Sequence, residues 1–128
     1  PGQPAKTIIG AAVTAAKFGE NFPATSGEQV RDWVYIDDVV AGIIAASRAG
    51  RIDGRTIELG TGVGTSVREV VEKVFKLAGQ GRPLIGALPQ RPGEPPSQIA
   101  DAGLAEQLID WRAKVGLDEG LRRVISKE

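Results

Sequence analysis

Residues 55–78 read RTIELGTGVGTSVREVVEKVFKLA, and this stretch predicts a strand, a glycine-rich turn and a helix in succession. The strand is expected at Arg55–Leu59 and the turn at Gly60–Gly64. The helix starts with a capping box, in which the Ser66 hydroxyl accepts from the Glu69 N–H while the Glu69 side chain reaches back. Gly79 ends the helix. Its apolar residues recur at helical spacing: Val67, Val70, Val71, Val74, Phe75 and Ala78.

Strands and helices alternate along the rest of the chain as well, which predicts one small mixed α/β domain over residues 1–128. Helices are expected at Lys6–Phe18, from Val39 to about Arg48, from an Asp101 cap to about Ile109, and around Leu117–Ile125. Strands are expected at Phe22–Thr25 (an edge strand), Gln29–Ile36, Leu84–Leu88 and Ile99–Ala100. The prolines of 89–97 predict a loop.

The composition narrows the chemistry that the chain can perform. Its 128 residues contain neither His nor Cys, which excludes zinc fingers, disulfide frameworks, Ser-His-Asp triads and thiol nucleophiles, and we expect no metal. Sixteen Lys and Arg balance sixteen Asp and Glu, and this net charge of zero argues against a nucleic-acid partner. The most apolar stretch, Thr7–Ala16, is too short to span a bilayer. We therefore expect no membrane contact and a soluble, cytoplasmic protein.

The chain contains no Met and begins at Pro1, which favours a piece of a longer protein. Val39–Ala46 is apolar throughout, and this pattern has two interpretations. The segment is either the central helix of a compact domain or a helix that packs on something outside this chain. In the second case we expect the isolated chain to self-associate into homo-oligomers.

The loop from Gly60 to Gly64 has the position of a dinucleotide-binding loop, between a strand and a helix. Its glycines, however, stand at relative positions 1, 3 and 5 rather than 1, 3 and 6, and no Lys-Ser/Thr pair follows. The region about 20 residues further on offers no acidic residue for a ribose. We therefore favour a tight structural turn over a cofactor site.

A second candidate site is the stretch RDWVYIDD at residues 31–38. Alternation along a strand would place Arg31, Trp33 and Tyr35 on one face, and Asp37-Asp38 would then cap the next helix. An Arg beside two aromatic side chains is suited to clamp a phosphate and to stack a flat group. The alternative is a surface Arg paired with an Asp, with both aromatic residues in the core.

A third candidate is the loop QRPGEPP at residues 90–96, which its prolines stiffen. Arg91 and Glu94 lie three positions apart, so that one is able to reach a phosphate and the other a sugar hydroxyl. The alternative is a rigid linker that carries a surface ion pair. Two Arg-bearing segments in one short domain favour an anionic ligand.

In this order the motifs resemble the C-terminal part of the extended short-chain dehydrogenase/reductases, the NAD-dependent nucleotide-sugar epimerases and dehydratases. The resemblance covers nearly the whole chain. Its motifs are Pro1-Gly2-Gln3, Arg31–Val39, Leu59–Gly62 with Thr65–Val67, Arg91–Glu94, and a tail with Asp101, Trp111 and Leu117–Leu121. The chain departs from the pattern at Ala24–Gly27, where the family usually has Tyr-Gly-Asp-Gly.

The resemblance implies the nucleotide-sugar-binding portion of a Rossmann-type enzyme. Arg31 and Arg91 would hold the diphosphate of the nucleotide-sugar, Glu94 would approach the ribose, and Trp33 belongs to the same substrate site. The family oxidises a sugar hydroxyl with NAD and then completes an epimerisation, dehydration or reduction.

The family's catalytic half has no counterpart in this sequence. The resemblance calls for a Gly-rich NAD motif and a Tyr-x-x-x-Lys pair, but the only Tyr is Tyr35, and Val39 stands four positions on. We therefore expect no catalytic and no cofactor-binding residue here, and a separate Rossmann domain as the partner that binds NAD in the parent enzyme. Two rival hypotheses are a non-catalytic interaction module that keeps the fold, and an unrelated phosphate-binding domain that uses the Gly60 loop.

Overall fold

The computed structural model describes residue 4 and residues 6–127, with only the backbone described at the last of these. The elements in chain order are α1 (Ile8–Lys17), β1 (Asn21–Pro23), β2 (Val30–Asp32), α2 (Ile36–Arg48), β3 (Gly64–Ser66), α3 (Val67–Ala78), β4 (Arg82–Leu84), β5 (Ser97–Gln98), α4 (Ala102–Ile109) and α5 (Leu117–Lys127). The predicted mixed α/β class is confirmed. The motif at Pro1-Gly2-Gln3 lies outside the described residues.

The strands are short and form two small sheets. In the first, β1 and β4 are parallel, with Phe22 opposite Pro83. In the second, β2 lies between β3 and β5, antiparallel to β3 and parallel to β5. Arg31 is therefore the middle residue of a central strand, opposite Thr65 on one side and Gln98 on the other. This register brings together chain segments that are far apart in the sequence.

The main core lies between α1, α3 and α5. The predicted apolar face of α3 is confirmed, because Val70, Val71 and Val74 are fully buried. The predicted end of this helix at Gly79 is confirmed, and so is the Ser66 half of the capping box, whereas the described residues show no return hydrogen bond to the Glu69 side chain. The Ser66 hydroxyl accepts from the Glu69 N–H at 3.1 Å, and Gly79 adopts φ +73°, a conformation that glycine reaches without strain.

A smaller core lies between α2 and α4, around Ala105, Ile109 and Trp111. Helix α2 packs there through its small residues, which include Ala45 and Ala46. Four of its larger apolar side chains lie outside this core and are 43–58% exposed: Ile36, Val40, Ile43 and Ile44. The interpretation of α2 as a central helix is therefore wrong for the described part of the chain.

The segment Gln29–Ile36, predicted as one strand, is a strand only at Val30–Asp32. It ends there because its partners β3 and β5 extend no further along it. Helix α2 then begins at Ile36, three residues before the predicted start, so Asp37-Asp38 lie in its first turn rather than at its cap. The Asp38 carboxylate is buried and accepts from the N–H groups of Lys114 and Val115 at 3.0 and 2.9 Å.

The predicted strand at Arg55–Leu59 is wrong, because no described strand pairs with this segment. Ile57 and Leu59 pack instead against the smaller core. Three other predicted strands are displaced: Phe22–Thr25 to β1, Leu84–Leu88 to β4 and Ile99–Ala100 to β5. Asp101 stands at the N-cap position of α4, but its side chain makes no capping hydrogen bond. Each helix among the described residues lacks the length or the hydrophobicity that a bilayer-spanning segment needs.

Candidate functional site

A cavity of about 530 Å³ brings together four residues that the sequence singles out: Arg31, Trp33, Arg91 and Glu94. They come from β2, from the turn that follows it, and from the loop between β4 and β5. Sequence reasoning missed two further cations that line the cavity, Lys6 before α1 and Arg68 in the first turn of α3. Among the described residues the lining thus carries four cations and one carboxylate, a balance that favours an anionic ligand. Two of the cations have acidic partners, Arg31 in Glu94 and Arg68 in Glu72, which lies outside the lining.

The Arg31 guanidinium is held by three oxygen acceptors. Its Nη1 donates to the backbone carbonyls of Val30 at 2.8 Å and Pro95 at 3.0 Å, and its Nη2 donates to Glu94 Oε1 at 3.0 Å. The Arg31 and Glu94 side chains are 18% and 36% exposed, so this ion pair is half-buried rather than superficial. The alternative interpretation is wrong about the acid, because the partner of Arg31 is Glu94 rather than an Asp, but its ion pair is present. Its placement of the aromatic residues holds for Tyr35, which is buried in the main core, and in part for Trp33, which is partly buried and packs against that core.

Arg91 lies on the exposed proline-rich loop at the mouth of the cavity. Within the described residues its guanidinium makes no ion pair and no hydrogen bond to protein. The loop is anchored on both sides of it. The Gln90 side-chain amide donates to the Ser26 hydroxyl, and the Val30 N–H donates to the Pro96 carbonyl at 2.8 Å.

Trp33 forms part of the cavity wall, and its orientation is fixed by a hydrogen bond. Its indole N–H donates to the Thr65 carbonyl at 3.0 Å, which leaves the ring against the cavity. The prediction that Tyr35 shares this face is wrong, because the strand ends at Asp32 and its alternation stops there. Tyr35 is buried in the main core, with the Arg123 guanidinium 5.4 Å from its ring centre. It lines a second, mainly apolar cavity of about 430 Å³.

The Gly60 loop is held by a carboxylate of the protein itself. Asp32 accepts from the Thr61 N–H and hydroxyl at 2.9 and 2.6 Å, from the Gly62 N–H at 2.8 Å and from the Ala100 N–H at 3.3 Å. Partial burial alone raises the pKa of the Asp32 carboxyl, but these hydrogen bonds outweigh it and hold the pKa below its ordinary value. Sequence reasoning missed this contact, since it joins positions about 30 residues apart.

The same contact decides between the two interpretations of the loop. A dinucleotide or phosphate would need the loop N–H groups, and the Asp32 carboxylate already accepts from two of them, so the loop does not fit NAD. A Cβ on Gly60 would lie 2.5 Å from the Ala100 Cβ, so glycine is required there for close packing. The structural-turn prediction is confirmed, and the rival hypothesis of a phosphate site at Gly60 is wrong.

Comparisons with known proteins agree with the fold and with the motif order. The family model for GDP-mannose 4,6-dehydratase matches residues 3–124. A UDP-glucose 4-epimerase from Caenorhabditis elegans is 34% identical over 118 residues, which are 89% of this chain and 34% of that protein. A UDP-glucose 4-epimerase from Erwinia amylovora is 34% identical over 120 residues, 92% of this chain and 35% of that protein. The chain thus spans about a third of the length of these curated relatives.

Two solved structures superpose closely on the chain. The UDP-glucose 4-epimerase of Thermotoga maritima, solved with UDP-glucose, has a TM-score of 0.85 and 30% identity, and the match covers 94% of this chain and 38% of that one. MoeE5 in complex with UDP-glucose and NAD has a TM-score of 0.88 and 31% identity, over 98% of this chain and 42% of that one. The chain therefore belongs to the GDP-mannose 4,6-dehydratase family, within the NAD-dependent nucleotide-sugar epimerases and dehydratases.

Proposed function

We propose that residues 1–128 form the nucleotide-sugar-binding region of an NAD-dependent epimerase or dehydratase. The observation that carries the proposal is that Arg31 and Arg91 line the same cavity, in whose described lining cations outnumber carboxylates. In this proposal the two guanidinium groups bind the diphosphate, Trp33 contacts the ligand with its ring, and Glu94 contacts the ribose.

The chemistry of the two arginines supports a diphosphate ligand. A guanidinium presents its N–H groups as a planar fork, which matches two oxygens of a phosphate. The hydrogen bonds of Arg31 occupy two N–H groups on Nη1 and one on Nη2, which leaves the Nε–H and one Nη2–H for a ligand. Two solved relatives contain UDP-glucose, and this makes a uridine diphosphate sugar the first ligand to test.

The proposal assigns catalysis to other parts of a longer polypeptide. The only Tyr of the chain is buried in the main core and has Val39 rather than Lys four positions on, so it does not supply the family's Tyr-x-x-x-Lys pair. The relatives are about three times as long as this chain. We infer that a Rossmann domain binds NAD in the parent enzyme and covers the exposed apolar face of α2, and we place that enzyme in the cytoplasm.

Calorimetry with UDP-glucose tests the proposal on the 128-residue chain. Arg31→Ala and Arg91→Ala each remove charge-assisted hydrogen bonds of about 1.5–3 kcal/mol, so each is expected to weaken binding about 10- to 150-fold. Arg112→Ala is the matched control, because this exposed Arg lies outside the cavity lining. UDP-glucose that binds with equal affinity to all three variants and to the wild type would contradict the proposed site.

The exposed face of α2 favours a second candidate, the interaction module. Such a module would bind a protein partner through Ile36, Val40, Ile43 and Ile44, and it would need no nucleotide. Absence of UDP-glucose binding, together with an intact fold by circular dichroism, would favour this candidate over the first.

A further inference from the structure

We propose that Glu94 and the diphosphate of the ligand compete for the Arg31 guanidinium. When the diphosphate binds, it displaces Glu94 and so releases the loop that carries Arg91. The inference rests on the proposed function and concerns the regulation of the same site. It starts from the observation that one N–H of Arg31 Nη2 already donates to Glu94 Oε1 at 3.0 Å, so that a ligand meets this carboxylate beside the two N–H groups that are left for it.

The two nitrogens at the end of the Arg31 side chain are held in different ways. Nη1 donates only to backbone carbonyls, those of Val30 and Pro95, whereas Nη2 donates to a side-chain carboxylate. The Pro95 carbonyl stays in place because the carbonyl of the next residue, Pro96, which directly precedes β5, accepts from the N–H of Val30, the first residue of β2. Nη2 is therefore able to exchange its acceptor while the rest of the guanidinium keeps its position.

Glu94 is held more weakly than Arg31. Its second oxygen accepts from Gln29 Nε2 at 3.3 Å, a long hydrogen bond, and the loop around it is exposed. It is also the one carboxylate in the described cavity lining. A diphosphate carries more negative charge than this carboxylate, so it competes for Nη2 with a Coulombic advantage.

The exchange would couple the two arginines. Arg91 lies on the same short segment as Glu94, with Gly93 between them at φ +77°. The Gln90–Ser26 hydrogen bond holds this segment on one side, and the Pro95 and Pro96 carbonyls hold it on the other. Between these attachments the Glu94 side chain adds a contact to Arg31, and loss of that contact loosens residues 91–94. The Arg91 guanidinium, which makes no ion pair among the described residues, then moves onto the second phosphate.

Titration with inorganic pyrophosphate tests the exchange, because this anion has no ribose for Glu94 to contact. An ion pair of this exposure contributes about 0.5–1 kcal/mol, so Glu94→Gln is expected to tighten pyrophosphate binding about two- to fivefold. Gln29→Ala, which loosens Glu94 without a change of charge, is expected to tighten it by a smaller factor. Glu119→Gln is the matched control: it removes the same charge from an ion pair with Arg123 outside the cavity, and it is expected to leave the affinity unchanged.

The Arg31→Ala background distinguishes exchange from a general charge effect. There Glu94 has no guanidinium to compete for, so Glu94→Gln is expected to give no gain; NMR titration makes millimolar affinities measurable in this background. The exchange is overturned if Glu94→Gln increases the pyrophosphate affinity even without Arg31, or fails to increase it with Arg31 present. This holds even if UDP-glucose binds as proposed. If neither pyrophosphate nor UDP-glucose binds to any folded variant, the proposed function fails, and the exchange fails with it.

Discussion

Replacing Asp32 by Asn tests whether one carboxylate holds the loop, the β-sheet and the start of α4 together. The carboxylate accepts four hydrogen bonds, and Oδ2 receives those from Gly62 at 2.8 Å and Ala100 at 3.3 Å. In the Asn variant the side-chain NH₂ group takes the place of Oδ2, and it cannot accept from the Gly62 and Ala100 N–H groups. One good hydrogen bond to a charged acceptor, about 1.5–3 kcal/mol, is lost, and those from Thr61 become neutral. We expect a total loss of about 2–3 kcal/mol in the free energy of unfolding.

Urea unfolding followed by circular dichroism measures this loss. Asp53→Asn is the matched control, because Asp53 lies in an exposed turn, and it is expected to change the free energy of unfolding by no more than about 0.5 kcal/mol. The pH dependence gives a second check. The folded-state pKa of Asp32 is below its ordinary value of 3.8, so its contribution is present above that pH and is lost as the pH falls through the folded-state pKa. The stability difference between wild type and Asp32→Asn should therefore narrow below about pH 4. An Asn variant as stable as the wild type at pH 7, or a stability difference that does not shrink at low pH, would show that the Asp32 carboxylate does not stabilise the fold in this way.

Two further predictions concern packing and assembly. A Cβ on Gly60 would lie 2.6 Å from Asp32 Oδ2, so Gly60→Ala should lower the free energy of unfolding by about 1–3 kcal/mol. Gly50→Ala, where the space is open, should leave it unchanged, and equal stability of the two variants in urea or thermal unfolding would contradict the close packing. The exposed face of α2 should make the isolated chain self-associate at high concentration, which light scattering measures. Ile43→Lys should reduce this association more than the control Val63→Lys, at a similarly exposed position outside α2, and a monomeric wild type would argue against the prediction.

The parts of the fold that the sequence predicts well are those set by local interactions. Helix α3 combines an amphipathic repeat, a Ser66 cap and a terminal Gly79, and all three signals lie within one short segment. The strand at Arg55–Leu59 fails for the opposite reason. Its composition suits a strand, but a strand also needs a partner, and no described segment supplies one.

Four residues of the candidate site were singled out from the sequence, but Lys6, Arg68 and the contacts within the site were not. The motif order identified Arg31, Trp33, Arg91 and Glu94, and all four line one cavity. The ion pair between Arg31 and Glu94 joins residues 63 positions apart, and no local pattern indicates it. The placement of Tyr35 was wrong because alternation was extended past the end of a short strand. Sheet register, which long-range pairing determines, is what the sequence alone left open.

A crystal structure of the chain soaked with UDP-glucose would show directly whether the two arginines bind the diphosphate. We expect the diphosphate in the cavity of about 530 Å³, with phosphate oxygens within hydrogen-bonding distance of both the Arg31 and Arg91 guanidinium groups. Density for the nucleotide in the apolar cavity beside Tyr35, or a diphosphate that contacts neither arginine, would contradict it.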